Sequence, residues 1–155
     1  MLPYKSASNS DVFSYYVEHL KKEGLVSANS EYQYVANLNG GFIGLWWDFH
    51  GREIDPDGSC INEVYMQIAK NSASENLVSV RISVPEGEYD KEKVITARQK
   101  IFDYFNERVE GLQKRWHWGS SMAVCYIVYD EKNYREQITK MQVVFDDMLK
   151  ELRLP

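Results

Sequence analysis

The chain has 155 residues, a length that fits one domain, and its 44% apolar and 26% charged residues are ordinary for a globular protein. The formal net charge of −5 disfavours non-specific binding to a phosphate backbone, although it leaves room for a local basic pocket. No apolar run approaches the roughly 20 residues of a membrane span, and the first residues lack the apolar core of a signal peptide. With two cysteines, Cys60 and Cys125, the sequence predicts a reduced, cytoplasmic protein without a disulfide framework.

The N-terminal part of the chain predicts a loose segment and then a helix. Residues 1–9 are polar and are expected to form a flexible N-terminus ahead of a single α+β domain over 10–155. Apolar residues at helical spacing predict a helix over 10–23, which Gly24 is suited to end.

Four strands are predicted next, from runs rich in alternating apolar residues. The predicted strands cover 31–38, 40–50, 61–69 and 77–84. The first two meet at Asn39-Gly40-Gly41, a turn sequence typical of a β-hairpin.

The C-terminal part predicts two helices on either side of a fifth strand. The helices cover 91–113 and 131–152, and the strand covers 120–129. Asp90 and Asp130 are suitable N-caps for the helices. The resulting order is αββββαβα, with consecutive strands. It predicts an α+β fold with a five-stranded, mainly antiparallel sheet and helices packed on it.

The second predicted strand carries large aromatic side chains on both of its faces. Alternation assigns one set to the core: Ile43, Leu45, Trp47 and Phe49. It assigns Phe42, Gly44, Trp46 and Asp48 to the opposite face. A strand with one solvated face is normally polar there, so this second face is expected to be either covered or used for binding.

Alternation along the other strands extends this second face of the sheet. Its predicted members are Tyr32, Tyr34, Phe42, Trp46, Asp48, Glu63, Tyr65, Gln67 and Arg81, with Cys125 and Tyr129 as candidates from the fifth strand. Aromatic rings beside one arginine and a few acids suit a planar or peptide-like ligand, held by stacking and cation–π contacts. The alternative is that a helix covers this face and that Arg81 pairs with Asp48 or Glu63.

A second candidate is the segment Lys114-Arg115-Trp116-His117-Trp118, in which basic and aromatic residues are interleaved. Such interleaving is found where proteins contact a nucleic-acid backbone and stack bases, although the overall charge makes nucleic acid an unexpected partner. The alternative is a helix-to-strand connection anchored by two tryptophans. Together the two candidates give the predicted ligand-binding residues Tyr34, Trp46, Asp48, Glu63, Tyr65, Arg81, Arg115 and Trp118.

The usual signatures of enzymes are missing from the sequence, which contains no P-loop, no dinucleotide-binding glycine motif and no Gly-x-Ser-x-Gly elbow. The histidines His19, His50 and His117 lack the spacing of metal ligands. The run 55–59 departs from a calcium-binding loop, because a proline follows its first acid and the final glutamate is missing. We therefore predict no catalytic residue, no metal and no cofactor.

The hairpin resembles a known type of domain. Asn37-Leu38-Asn39-Gly40-Gly41-Phe42-Ile43-Gly44-Leu45-Trp46-Trp47 is similar to a segment near the C-terminus of some bacterial PD-(D/E)XK nuclease superfamily proteins, and 118–124 and 129–134 resemble the later part of that domain. The resemblance implies an accessory domain and not the nuclease core. Glu63-Val64-Tyr65 lacks the lysine of the nuclease motif, so no catalytic residue carries over.

Three functional hypotheses follow. The leading one is a non-enzymatic binding module that uses the second face for a small ligand or a protein segment, within bacterial or phage defence. The second is an acidic inhibitor or immunity-type protein that docks onto a basic enzyme, steered by its net charge. The third is a hydrolase that uses Asp48 and Glu63. None of them requires a membrane, and the oligomeric state is left open.

Overall fold

The computed structural model describes residues 17–27, 31–35, 42–70 and 75–154. In these ranges the chain forms a sheet and three helical segments. The strands are β1 (Glu31–Val35), β2 (Phe42–His50), β3 (Glu63–Lys70), β4 (Asn76–Ser83) and β5 (Ser121–Tyr129). The helices are α1 (residues 17–22), α2 (Lys91–Asn106) and α3 (Tyr134–Glu151).

The sheet has the strand order β1-β2-β3-β4-β5, and each pair of neighbours is antiparallel. The pairing of β1 with β2 agrees with the predicted hairpin, whose turn residues lie outside the described part of the chain. β3 and β4 pair in unbroken register from Glu63 with Ser83 to Lys70 with Asn76. Consecutive antiparallel strands need only short connections, which explains how so much of the sheet forms from one stretch of sequence.

The predicted fold needs correction. Four long strands of eight or nine residues, β2 to β5, form the body of the sheet, and β1 adds only five residues at its edge. The helix predicted over 10–23 is described only as the short segment α1, so the elements with full bounds run ββββαβα and not αββββαβα. No parallel pairing occurs among the described strands, so "mainly antiparallel" becomes wholly antiparallel there. The predicted flexible N-terminus lies outside the described residues.

Both long helices pack on one face of the sheet, which we call the helix face. Gln142 of α3 bonds the indole of Trp47, and Arg98 of α2 reaches the sulfur of Met122 on β5. The core between them is built from fully buried aliphatic and aromatic side chains, among them Met66, Val80 and Phe145. α1 joins this core through Val17 and Leu20, and Glu23 after it bonds Tyr134 and Arg135 of α3.

The helices are shorter than their patterns predict. α2 ends at Asn106 and not at 113, and the chain turns at Gly111, where φ is 80°, before it runs along the sheet. Gln113 then exchanges backbone hydrogen bonds of 2.8 and 3.0 Å with Tyr126 of β5. α3 begins at Tyr134, since Asp130 caps the preceding turn by accepting from the backbone of Lys132 and Asn133.

A β-bulge interrupts β2 between Trp47 and His50. Asp48 has a φ of 59°, the only positive φ outside glycine among the described residues, and Asp is one of the few residue types that tolerate this conformation. The extra residue reverses the alternation beyond it. Asp48 then bonds Gln142 of α3, whereas Phe49 lies against Tyr65 on the opposite face, so the predictions of Phe49 in the core and Asp48 on the second face are wrong.

No helix within the described ranges is long and apolar enough to cross a membrane.

Candidate functional site

The face of the sheet opposite α2 and α3 carries a cluster of aromatic and polar side chains. We call it the aromatic face and define it by Trp46, Phe49, Tyr65, Gln67 and Arg81. The register brings these residues together, because Trp46 pairs with Gln67 and Tyr65 pairs with Arg81. No described helix packs on this face, so the alternative in which a helix covers it is not what the described residues form.

Two contacts fix the rings of the aromatic face. The indole nitrogen of Trp46 donates to Oε1 of Gln67 at 2.6 Å, which orients a half-buried ring along the sheet. Phe49 stacks on Tyr65 with ring centroids 4.9 Å apart and an interplanar angle of 21°. Phe49 is nevertheless 46% exposed, whereas Tyr65 beneath it is buried. The outer ring of this pair is therefore available to a partner, and the inner ring supports it.

Arg81 lies at the other end of the aromatic face and is half-buried. Its Nη2 donates to the backbone oxygen of Ser121 at 3.3 Å, and the hydroxyls of Tyr65 and Ser121 are hydrogen-bonded to each other. Neither Asp48 nor Glu63 forms an ion pair with it, and within the described ranges the guanidinium contacts no carboxylate. The arginine thus presents a positive charge beside aromatic rings, and the alternative in which Asp48 or Glu63 neutralises it is not what the described residues form.

Three predicted site residues therefore meet on the aromatic face: Trp46, Tyr65 and Arg81. A fourth, Glu63, lies on the same side of β3 as Tyr65, two positions away, and pairs with Ser83. Phe49 is the member that the sequence analysis missed. The signal that could have suggested a bulge is Asp48, which directly precedes Phe49-His50-Gly51. Short polar side chains such as that of aspartate tolerate a positive φ.

The remaining predicted residues of the second face lie elsewhere. Asp48 accepts a bond of 2.6 Å from Gln142 on the helix face, next to His50, so it and Glu63 point to opposite sides of the sheet. A pair of carboxylates for acid–base hydrolysis is not assembled by these two residues. Tyr34 pairs with Ile43, so its position in the register falls on the side of Leu45 and not on the side of Trp46.

The fifth strand also resolves an ambiguity in the predicted face. Cys125 pairs with Val80 and is fully buried on the helix face, and a register shift follows between Val80 and Arg81. Burial raises the pKa of the Cys125 thiol far above its ordinary value, so this sulfur is inert. Tyr129 pairs with Asn76 and is likewise buried, so neither candidate from β5 belongs to the aromatic face.

Arg115 and Trp118, the last two predicted residues, lie in the connection between α2 and β5. Trp118 is 38% exposed and stacks against Tyr89, with centroids 6.4 Å apart, and Arg115 is exposed. Trp116 between them is anchored, because its indole nitrogen donates to the backbone oxygen of Val124 at 2.7 Å. The alternative of a connection anchored by two tryptophans is thus formed only in part, because Trp116 is bonded to the backbone of β5 and Trp118 is exposed.

A cavity of about 290 Å³ opens near the start of α2 and is lined by Cys60, Glu92, Lys93, Thr96 and Ala97. Cys60 is buried, and this burial raises the pKa of its thiol. The thiol is therefore a poor nucleophile at neutral pH. No group of three or more metal-binding side chains occurs in the part of the chain that the structure describes.

Comparisons with protein-family models, with characterised proteins and with solved structures found no match for this chain. The resemblance of the hairpin to an accessory domain of PD-(D/E)XK proteins therefore stays a prediction, and the functional argument depends on the geometry of the site.

Proposed function

We propose that the protein is a non-catalytic binding module whose aromatic face receives a segment of a partner protein. The observation that carries this proposal is the Phe49–Tyr65 stack, whose outer ring is 46% exposed next to an arginine without a carboxylate partner among the described residues. An exposed aromatic ring on a rigid support is typical of the residues that contribute most to binding.

The chemistry of the face selects the kind of segment. Phe49 and Trp46 offer apolar surface and ring edges, which favour an aromatic or aliphatic side chain. Arg81 uses an N–H of its planar guanidinium in a hydrogen bond to Ser121, and its other donors favour a carboxylate close to the apolar residue of the segment. The partner segment is therefore expected to present an apolar residue close to an Asp, a Glu or a C-terminal carboxylate. A flat sheet surface suits such a segment better than a small molecule, which normally needs a concave site.

The experiment that tests this proposal is a selection of peptides from a random phage-displayed library on the immobilised full chain. Enriched peptides are then measured by isothermal titration against the wild type, Phe49→Ala and Arg81→Ala. We expect apolar–acidic peptides to be enriched and each variant to bind them about tenfold more weakly, since a packed ring or a charged hydrogen bond contributes on the order of 1.4 kcal/mol.

Val143→Ala is the matched control, because Val143 is a 53% exposed apolar residue on α3, away from the aromatic face. Its affinity for the peptides should equal that of the wild type. The proposal is wrong if no sequence class is enriched, or if the enriched peptides bind Phe49→Ala as tightly as they bind the wild type.

A further inference from the structure

A second surface, separate from the centre of the aromatic face, combines stacked rings with positive charges. It lies where the connection after α2 packs on that helix, and we call it the cation–aromatic strip. The strip consists of Tyr89, Lys91, Arg98, Lys114, Trp116 and Trp118. Along it, rings and cations alternate at contact distance.

The distances along the strip define its order. Nζ of Lys91 lies 4.5 Å from the ring centroid of Trp118, and the guanidinium of Arg98 lies 5.9 Å from the same ring and 4.6 Å from that of Trp116. Nζ of Lys114 lies 4.0 Å from the ring of Trp116. Each cation is thus within the range of a cation–π contact, and Arg98 joins the two tryptophans.

Arg98 is a buried charge without a counter-ion in the described part of the chain. The residue is only 6% exposed, and its Nη1 donates to the backbone oxygen of His117 at 2.9 Å and contacts the sulfur of Met122. Its Nε has no hydrogen-bond partner. Buried charges are normally paired with an opposite charge, so the positive potential of Arg98 is offset here only by ring faces and neutral groups.

The neighbourhood of His117 shows that further positive charges converge on this strip. Partial desolvation of its ring, together with the charges of Arg81, Arg115 and Arg98, lowers the pKa of His117. The charged groups of the described residues that shift this pKa are all guanidinium groups. A protein with a net charge of −5 therefore concentrates three guanidinium groups in one small region.

The outer groups of the strip are accessible. Tyr89 and Trp118 are each 38% exposed, and Lys91 and Lys114 are exposed, as is Arg115, which lies beside the strip between Lys114 and Trp116 in the sequence. None of these three cations forms an ion pair with another described residue. Anchoring the connection accounts for Trp116, whose indole is bonded to the backbone, but it does not account for an exposed Tyr89–Trp118 stack beneath a lysine.

We propose that the cation–aromatic strip binds single-stranded nucleic acid, with bases stacked on Trp118 and Tyr89 and phosphates held by Lys91, Lys114 and Arg115. Exposed rings beside flexible cations form a stacking platform, which suits splayed bases of a strand and offers nothing to the stacked bases of a duplex. The flat platform also suits a strand better than a free mononucleotide.

Two exposed glutamates beside the strip set the expected direction of the strand. Glu86 and Glu88, just before Tyr89, are exposed and repel phosphates. The strand is therefore expected to leave Tyr89 toward Lys114 and Arg115. The proposal does not depend on a partner at the aromatic face, because Phe49 and Trp46 take no part in it.

The test uses the full chain and a short fluorescein-labelled oligonucleotide of mixed sequence, as single-stranded DNA, as single-stranded RNA and as a DNA duplex, with fluorescence anisotropy at several salt concentrations. We expect both single strands to bind and the duplex to bind more weakly. Trp118→Ala should weaken binding about tenfold and Trp118→Phe much less, because the ring is needed for stacking. Lys114→Ala and Arg115→Ala should each lower the slope of log K against log salt by about 0.7, the value for one phosphate contact on a single strand.

Arg108→Ala is the matched control, because Arg108 is an exposed arginine that lies over the ring of Tyr104, at 3.6 Å, outside the strip. It should bind like the wild type. The proposal is overturned if no single strand binds, if the duplex or free adenosine monophosphate binds as tightly as the strand, or if Arg115→Ala and Trp118→Ala behave like Arg108→Ala. Loss of binding in Phe49→Ala alone would also overturn it, since the strand would then lie on the aromatic face.

Discussion

The two faces of one sheet differ in what their aromatic residues do. On the helix face Trp47 is 1% exposed, donates to Gln142 of α3 at 2.7 Å and is enclosed by aliphatic side chains. On the aromatic face the neighbouring Trp46 is half-buried, and among the described residues its indole donates to Gln67 within the sheet. Adjacent residues of the same type are thus used differently because one side of β2 meets helices and the other meets none that the structure describes.

A single residue decides where this contrast ends along β2. Trp47 and Phe49 are two positions apart and would share a face in a regular strand. The bulge at Asp48 sends Phe49 to the aromatic face, where it is 46% exposed, and turns Asp48 toward α3. One residue with a positive φ therefore moves a large ring from the core to the candidate binding site.

The largest effect that would sharpen the contrast is on stability. Trp47→Ala should lower the free energy of unfolding by about 3–5 kcal/mol, because it leaves a cavity in the core and removes the partner of Oε1 on the half-buried Gln142. Phe49→Ala should lower it by less than about 1 kcal/mol, because nearly half of its side chain is already in water. Urea denaturation measures the free energy of unfolding of both variants. It is followed by circular dichroism and not by tryptophan fluorescence, because one variant lacks a tryptophan. Equal losses would mean that the two faces are equally buried.

A smaller effect concerns the bulge itself. Asp48→Gly and Asp48→Ala both remove the carboxylate that accepts from Gln142, so the difference between them isolates the backbone conformation. We expect the alanine variant to be about 1 kcal/mol less stable than the glycine variant, because a Cβ disfavours a positive φ. Chemical denaturation of the pair measures this difference. If alanine is as stable as glycine, Asp48 does not hold the left-handed conformation and the parity of Phe49 loses its explanation.

The smallest effect lies at the border between the aromatic face and the cation–aromatic strip. Removing one of the charges that lower the pKa of His117, as in Arg115→Ala, should raise that pKa toward its ordinary value of about 6.5. An NMR titration of the imidazole protons detects the change, and Arg108→Ala should leave the titration curve where it is.

The same titration has a consequence for stability. Since the folded pKa of His117 lies below the unfolded one, the unfolded chain takes up the proton first, and stability is lost as the pH falls below about 6.5. Arg115→Ala should reduce this loss. An unchanged pKa in Arg115→Ala would show that the guanidinium groups do not converge on His117, which would remove one support of the strip.

Much of the candidate site could be predicted by alternation alone. Trp46, Tyr65 and Arg81 meet because strands of period two place them on one side and because antiparallel pairing of consecutive strands sets the register. Asp48 and Tyr34 could not be placed in the same way. The first depends on a bulge, and the second depends on the exact register of a short edge strand, and neither leaves a periodic signal.

The helix ends show the same limit. Apolar residues continue at helical spacing beyond Asn106, so the pattern predicts a helix to 113, although Leu112 and Gln113 follow β5 instead. Local periodicity predicts which residues become buried, but it does not predict what they pack against. The same apolar side chains can be buried by a further helical turn or by a segment that pairs with the edge of a sheet.

By itself, the sequence determined which segments pair as strands, that two tryptophans in succession face opposite ways, and that a basic–aromatic segment joins α2 to β5. These are consequences of spacing along the chain, which local sterics and burial enforce. Only the tertiary structure decided that both long helices pack on one face, that Phe49 leaves the core, and that Arg98 lies buried between Trp116 and Trp118. Each of these depends on contacts between residues far apart in the chain, which no local pattern encodes.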